Sequence, residues 1–302
     1  MVVGLLGKEC NMEIKLSNGI KIGDGHPTFI IAEIGNNHNG NMDLAKQLVD
    51  KAVNAKADAV KFQTKDIETS FSKELLDSSY VTPNSFGNTY REHKQALEFN
   101  KIQHHEIFEY SKRRNILAFS TPFDLKSLEL LEELDVSLYK LSSFHVTDLK
   151  LIDAVADTGK PIIMSTGMST IAEIDVAVDR ILKKNDRLIL LHCVSSYPTE
   201  DRDVNLRNII MLRERYKTLV GYSGHERGIT ICTASIPLGA CVIERHFTLD
   251  RTMKGPDHAA SIEPHGLELI VKHARQIEAA LGSLNRNVLD AELKNRKKFR
   301  GY

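Results

Sequence analysis

Short apolar runs alternate along this chain with longer amphipathic stretches. TFIIAEIG from Thr28, AVKFQT from Ala59, LAFSTPF from Leu117 and LYKLSS from Leu138 are followed by PIIMSTG from Pro161, LILLHCV from Leu188, LVGYSG from Leu219 and VIERHFT from Val242. Each run is bounded by Gly, Pro or polar residues, as a strand buried on both faces should be. Lys/Glu-rich segments with i, i+3, i+4 apolar spacing lie between them. Strand-then-helix alternation implies a parallel sheet with right-handed crossovers. Eight such units predict an α/β fold, a closed (β/α)8 TIM barrel. The alternative is an open sheet of six or seven strands. No GxGxxG or GxxxxGK[ST] loop follows the first run, which counts against a dinucleotide-binding or P-loop version of it.

Three segments fall outside the repeat. Within residues 1–27, IKLSNGIKIG (14–23) alternates around Asn18-Gly19, a hairpin signal because both residues tolerate positive φ. This N-terminal β-hairpin should precede the barrel and plug its N-terminal end. The barrel itself is expected over 28–284. Within it, residues 65–100 are too long for an ordinary strand-to-helix loop and carry Pro83, Gly87, Tyr90, Arg91 and His93, so they should cover one mouth or mediate assembly. Residues 285–302 read as a basic, solvated C-terminal tail.

Composition narrows the function. Forty Lys and Arg balance forty Asp and Glu, so no global field attracts nucleic acid or an anionic membrane. No apolar run approaches the roughly 18 residues of a membrane span, and MVVGLLGKE lacks the basic start and apolar core of a signal peptide, so a cytoplasmic protein is expected. Cys10, Cys193, Cys232 and Cys241 are isolated, without CxxC or zinc-ligand spacing, and are expected as reduced thiols.

In a (β/α)8 barrel the active site lies at the C-terminal ends of the strands. Here those ends carry Glu33 with Asn36, Asn37 and His38, then Lys61 and Gln63, Ser120 and Thr121, and Lys140, Ser142, Ser143 and His145. Ser165 and Thr166 come next, then His192, Ser195 and Tyr197, Ser223 and His225, and finally Glu244, Arg245 and His246. Each residue alone has a bland explanation: a salt bridge for a lysine, a hydrogen-bonded core position for a histidine, a helix N-cap for Ser169 or Thr170. Their density does not, because an ionised group in a buried strand is costly unless paired or bound to a ligand. Lys61, Lys140 and Arg245 with Thr121, Ser143, Ser165, Ser195 and Ser223 around one mouth would hold a compact, multiply charged anion such as a phosphorylated carboxylate. His225 and His246 end adjacent strands and could share a divalent cation, with Glu33, Glu244 and Asp257 as further ligands or acid/base groups. Two histidines with oxygen ligands suit Mn²⁺, Mg²⁺, Fe²⁺ or Zn²⁺ in a catalytic, Lewis-acid role; the competing reading is two unrelated core histidines.

The motifs IIAEIGNNHNG, VKFQT, FSTPF, YKLSS, GKPIIMSTGM, LHCVSSYPT, GYSGH and ERHFTLDR with GPDHAAS, in order from about Phe29 to Gly282, resemble the sialic acid synthase family, the NeuB-type condensing enzymes. The resemblance implies a metal-dependent barrel, with Mn²⁺ or Mg²⁺ as cofactor. In it, C3 of phosphoenolpyruvate attacks an open-chain sugar aldehyde, water adds at C2, and phosphate leaves by C–O cleavage. The product is a sialic-acid-like nonulosonic or related 3-deoxy-2-keto sugar acid. Carried over residue by residue, the similarity makes Lys61, Thr121, Lys140, Ser143, Ser165 and Ser223 phosphoenolpyruvate contacts. Gln63 and Tyr197 line the same site, and His225 and His246 hold the metal. Glu33 and Asp257 would orient or exchange protons with acceptor hydroxyls or the metal-bound water, and Glu244 and Arg245 would support the metal-bearing strand.

Three departures bear on the acceptor. His145 stands where the family usually has a glutamate, which places it among the catalytic candidates, and Ser195 stands where asparagine is common. The chain stops at LKNRKKFRGY, where a small C-terminal domain of the family would begin. The resemblance then implies either a different aldehyde or a separate polypeptide supplying those contacts. A homodimer is expected, with Phe86, Tyr90 and Phe99 offering apolar area. The competing functions are a Schiff-base pyruvate aldolase using Lys61 or Lys140 and a degenerate barrel acting as a binding subunit.

Overall fold

The structure, a computed structural model, describes residues 12–283 and 285–302. Strands β1 (Glu13–Lys15) and β2 (Lys21–Gly23) form the hairpin. Eight parallel strands follow: β3 (Phe29–Gly35), β4 (Ala59–Thr64), β5 (Leu117–Pro122), β6 (Tyr139–Leu141), β7 (Ile162–Ser165), β8 (Leu188–Cys193), β9 (Leu219–Gly224) and β10 (Val242–His246). β10 pairs with β3 and closes the barrel, so each of the eight apolar runs is a barrel strand.

Helices cover the outside because their apolar residues recur on one face. In the helix Met42–Asn54, Ala45, Leu48, Val49 and Ala52 are buried, and the Asn41 side chain accepts from Leu44 N at the N-cap (3.0 Å). Thr170 caps the helix Ile171–Leu182 in a capping box with Glu173, whereas the Ser169 hydroxyl donates to the Gly167 carbonyl. No helix among the described residues is long and apolar enough to cross a membrane.

Strand alternation divides the apolar core into two layers. Ile30, Val60 and Ile162 face the helices, while Phe29, Ile31, Phe119, Ile189 and Leu191 fill the lower barrel interior. Ile14, Leu16 and Ile22 of the hairpin join that interior layer, so the hairpin closes the N-terminal end. Its turn is longer than a two-residue hairpin turn. Leu16 N donates to Ile20 O (2.8 Å), and only Gly19 takes a positive φ (90°), while the Asn18 side chain accepts from Ile20 N. A three-residue connection needs the left-handed conformation once.

Residues 65–100 cover the opposite, C-terminal mouth with the helical turns Ile67–Ser70 and Lys73–Leu76 and the helix Tyr90–Leu97. The aromatics expected to offer a dimer contact also pack within the chain, Phe86 and Tyr90 remaining partly exposed. Phe99 is buried and stacked on His38 (3.9 Å between ring centres), Tyr90 packs edge-on against Phe71 and Tyr80, and Phe86 stacks on His93. The expected tail is helical over Asp290–Arg300. Asp290 and Glu292 in its first turn and Lys297, Lys298 and Arg300 in its last complement the helix dipole, and none of its residues is buried. Cys193, Cys232 and Cys241 are buried free thiols, whereas Cys10 lies outside the described residues.

If the hairpin is part of the barrel core, Leu16→Ala should cost about 2–5 kcal/mol of stability in urea denaturation. An unchanged midpoint and slope would mean that the plug contributes nothing.

Candidate active site

The upper barrel interior is polar because the inward positions change from Ile, Leu and Phe to ionisable and hydroxyl residues toward the strand ends. Glu33 lies opposite Lys61 in the β3–β4 register, and Ser223 opposite Glu244 in β9–β10. Lys61 Nζ is 2.7 Å from Glu33 Oε2 and 3.9 Å from Glu244 Oε2, and it donates to Thr121 Oγ1 (3.1 Å). Lys140 Nζ donates to Ser165 Oγ (2.6 Å) and lies 3.7 Å from Glu244 Oε1, which also accepts from the Ser223 hydroxyl (3.1 Å). Gln63 Nε2 donates to Glu33 Oε1 (3.0 Å). Two ammonium and two carboxylate groups therefore form one buried, charge-balanced floor. Burial alone would raise the Glu244 carboxyl, but Lys140 and Lys61 outweigh it and hold it below its ordinary value. Burial pushes the Lys140 ammonium down, against the pull of Glu244.

Above this floor opens a cavity of about 600 Å³, lined also by His145, Ser195, Tyr197, His225, His246 and Asp257. Two glycines let the walls come this close. Gly35 sits at a register shift with φ +52°, where a Cβ would lie 3.0 Å from both Gln63 Nε2 and Glu33 Oε1. Gly167 donates its N–H to Ser143 Oγ (2.9 Å), and a Cβ there would stand 2.4 Å from Ser195 Oγ.

His225 and His246 face each other with ring centres 5.6 Å apart, and Tyr197 lies against His225 (4.0 Å). His225 Nδ1 donates to the Val194 carbonyl (2.7 Å), so Nε2 keeps its lone pair. Burial together with His246 pushes the ring down to about 3, leaving it neutral. His246 Nδ1 is buried without a hydrogen-bond partner and lies 3.9 Å from Asp257 Oδ2. Two imidazole nitrogens beside a carboxylate fit a divalent cation in donor chemistry. No group of three His, Cys, Asp or Glu side chains close enough to hold an ion stands among the described residues. Glu33 and Glu244, considered above as further ligands, are turned to the lysines instead.

Arg245 is not at the mouth. Successive strand residues face opposite sides, so with Glu244 and His246 inward Arg245 points outward. Its guanidinium is buried against Glu226, with Nη1 2.8 Å from Glu226 Oε1 and Nη2 2.6 Å from the Glu226 carbonyl. The same alternation turns His192 to the Val204 carbonyl and Ser120 to Thr64. His145 sits in the single turn Ser143–His145 with Nδ1 2.9 Å from Ser142 Oγ, and burial pushes it down to about 4, so it acts as a neutral imidazole. Lys65 and Lys94 also line the cavity and were not among the sequence candidates. Lys65 follows Gln63 by two residues, and period-2 spacing points to it; Lys94 lies on a cover helix to which no strand pattern leads.

The closed barrel and its lysine, hydroxyl and imidazole mouth define an enzyme built to handle a small anion. Comparison with known sequences narrows the class: the chain belongs to the NeuB family, whose profile matches residues 48–286. It is 38% identical to human N-acetylneuraminate-9-phosphate synthase over 283 residues, 93% of this chain and 79% of that protein. It is 40% identical over 272 residues to N,N'-diacetyllegionaminic acid synthase of Campylobacter jejuni, 89% of this chain and 81% of that one. Among solved structures, N-acetylneuraminic acid synthetase of Leptospira borgpetersenii superposes with a TM-score of 0.84 at 37% identity, covering 96% of this chain and 98% of that one. The protein is thus a phosphoenolpyruvate-condensing, carbon–carbon bond-forming enzyme whose aldol-type reaction gives a 3-deoxy-2-keto sugar acid. That membership sets aside both the pyruvate aldolase and the non-catalytic binding subunit.

Because Arg245 pairs with buried Glu226, Arg245→Met should destabilise the protein by about 3–5 kcal/mol. The double variant with Glu226→Gln should recover part of that loss in thermal unfolding, with phosphoenolpyruvate affinity unchanged. A stable single variant with weakened phosphoenolpyruvate binding would return Arg245 to the substrate site.

Proposed function

We propose that this enzyme condenses phosphoenolpyruvate with an open-chain sugar aldehyde, assisted by a divalent cation, Mn²⁺ or Mg²⁺, to give a nonulosonic or related sugar acid and phosphate. The observation carrying this reading is the stacking of two layers in one cavity: a floor with Lys61 and Lys140, and above it the imidazoles of His225 and His246. Lys61 and Lys140, with Thr121, Ser143, Ser165 and Ser223, hold the phosphate and carboxylate of phosphoenolpyruvate and orient C3 toward the mouth. Gln63, Ser195 and Tyr197 close the site around it.

His225 and His246 would hold the cation, and the chemistry it would supply is polarisation of the aldehyde oxygen where negative charge develops. The Val194 carbonyl fixes the His225 tautomer that leaves Nε2 free. Asp257, beside His246 and accepting from Asn36 (3.3 Å), orients the acceptor hydroxyls. Glu33, 2.7 Å from Lys61, exchanges protons at the C2 end, where water adds, and Glu244 keeps the two lysines in place. His145, neutral and hydrogen-bonded to Ser142, meets a sugar hydroxyl with its other ring nitrogen where the family glutamate would bring a charge.

Phosphate release from phosphoenolpyruvate labelled with ¹⁸O at the bridging position, run with a panel of hexosamines and aldoses, tests the reading. The label should appear in the released phosphate. His225→Ala and His246→Ala should each lower turnover by at least about 100-fold, with folding intact and phosphoenolpyruvate binding retained. Full activity after exhaustive chelation would remove the cation from the scheme.

A further inference from the structure

The cover over residues 65–100 brings two more lysines into the cavity, and the phosphoenolpyruvate floor uses neither. Lys94, on the helix Tyr90–Leu97, holds Nζ 4.9 Å from the centre of the Tyr90 ring and 5.7 Å from that of Phe71. Among the described residues it makes no ion pair and no hydrogen bond. Burial pushes its ammonium below the usual lysine value. Lys65 is buried with Nζ 4.3 Å over Phe123, donating to Gln63 Oε1 (2.8 Å) and Asn36 Oδ1 (3.4 Å). Its nearest carboxylate is Glu98 at 3.9 Å, which His104 also faces at 3.5 Å. The aromatic faces offset part of the cost of desolvating two ammonium groups, yet Glu98 is the one carboxylate against Lys65, and Lys94 has none in contact among the described residues.

Position ties this corner to the acceptor. Asn36 accepts from Lys65 and donates to Asp257, and Asp257 lies beside His246. Lys65 is thus connected, contact by contact, to the histidine pair where the sugar aldehyde would react, and Lys94 lines the same cavity. Lys65 also reaches the floor through Gln63, which donates to Glu33, whereas Lys94 makes no hydrogen bond or ion pair with the floor among the described residues.

We propose that Lys65 and Lys94 form a second anion subsite, which takes the phosphate of a phosphorylated sugar acceptor and makes that acceptor the preferred substrate. The proposal rests on the reading of this cavity as the site where phosphoenolpyruvate meets a sugar aldehyde. A phosphate dianion matches two ammonium point charges, whereas a neutral sugar supplies only hydroxyls and leaves Lys94 without a counter-charge.

The test uses the whole chain with its floor filled by saturating phosphoenolpyruvate, so that the second phosphate cannot occupy the first site. Calorimetric titration then compares 2-acetamido-2-deoxymannitol 6-phosphate with the unphosphorylated alditol, neither of which has an aldehyde to react. The phosphorylated alditol should bind at least about 10-fold more tightly. Lys94→Gln and Lys65→Gln should each weaken it by about 10- to 100-fold, and Lys94→Arg should retain most of the affinity. The neutral alditol and phosphoenolpyruvate itself should bind the Lys94→Gln variant as they bind the wild type. Equal affinity for the two alditols, or a Lys94→Gln variant that binds the phosphorylated one unchanged, would overturn the subsite. Phosphate-dependent alditol binding without turnover of any aldehyde would refute the condensation scheme and leave the subsite standing. Rapid turnover of neutral sugars with no preference for the phosphorylated alditol would do the reverse.

Discussion

The buried row of alternating charge from Glu33 through Lys61 and Glu244 to Lys140 is the constraint on which the rest of this structure depends. Four ionised groups in a barrel interior cost several kcal/mol each in desolvation, and their mutual attraction repays that only with good geometry. Barrel closure supplies the geometry, because pairing of β10 with β3 sets Glu244 within reach of lysines on β4 and β6. A row balanced in this way tolerates an empty mouth. An anion held there, as proposed, would find the lysines already positioned, so that little reorganisation would accompany binding.

The lower half of the barrel makes that polar half affordable. Beneath the charged floor the inward positions are apolar and the hairpin seals them from water, which concentrates hydrophobic stabilisation at one end and chemistry at the other. Arg245 and Glu226 show the same economy on the outer face, where a buried pair anchors β10 to the loop after β9 and so helps aim His225 and His246.

The cover is where this enzyme can differ from its relatives without disturbing the floor. Its aromatics are occupied in holding the cover together and in carrying Lys94 into the mouth, while Lys65 packs on Phe123 of the neighbouring strand end. Neutral His145 faces the same space and shares the Phe123 ring with Lys65. On the proposed reading, specificity for the acceptor and capacity for phosphoenolpyruvate would reside on different elements, one on loops and one on strands, as a scaffold that varies by its loops should arrange them.

The sequence by itself determined the fold class, the eight strands and most of the floor. Buried parallel strands read as continuous apolar runs, and polar residues at their ends stand out against that background. It also determined the hairpin, through Asn18-Gly19, and set the 65–100 segment apart as either a cover over one mouth or an assembly element. Only the tertiary structure decided direction. Arg245 adjoins two inward residues and reads as a site residue until alternation turns it outward to Glu226. It also decided the protonation of His145 and His225, because burial and neighbouring charges shift a titration while composition does not. Last, it brought Lys94 to the mouth across a cover with no strand periodicity to reveal it. The physical reason is common to all three: local pattern encodes which residues are apolar and how they repeat, whereas the partner of a charge is set by contacts between segments far apart in the chain.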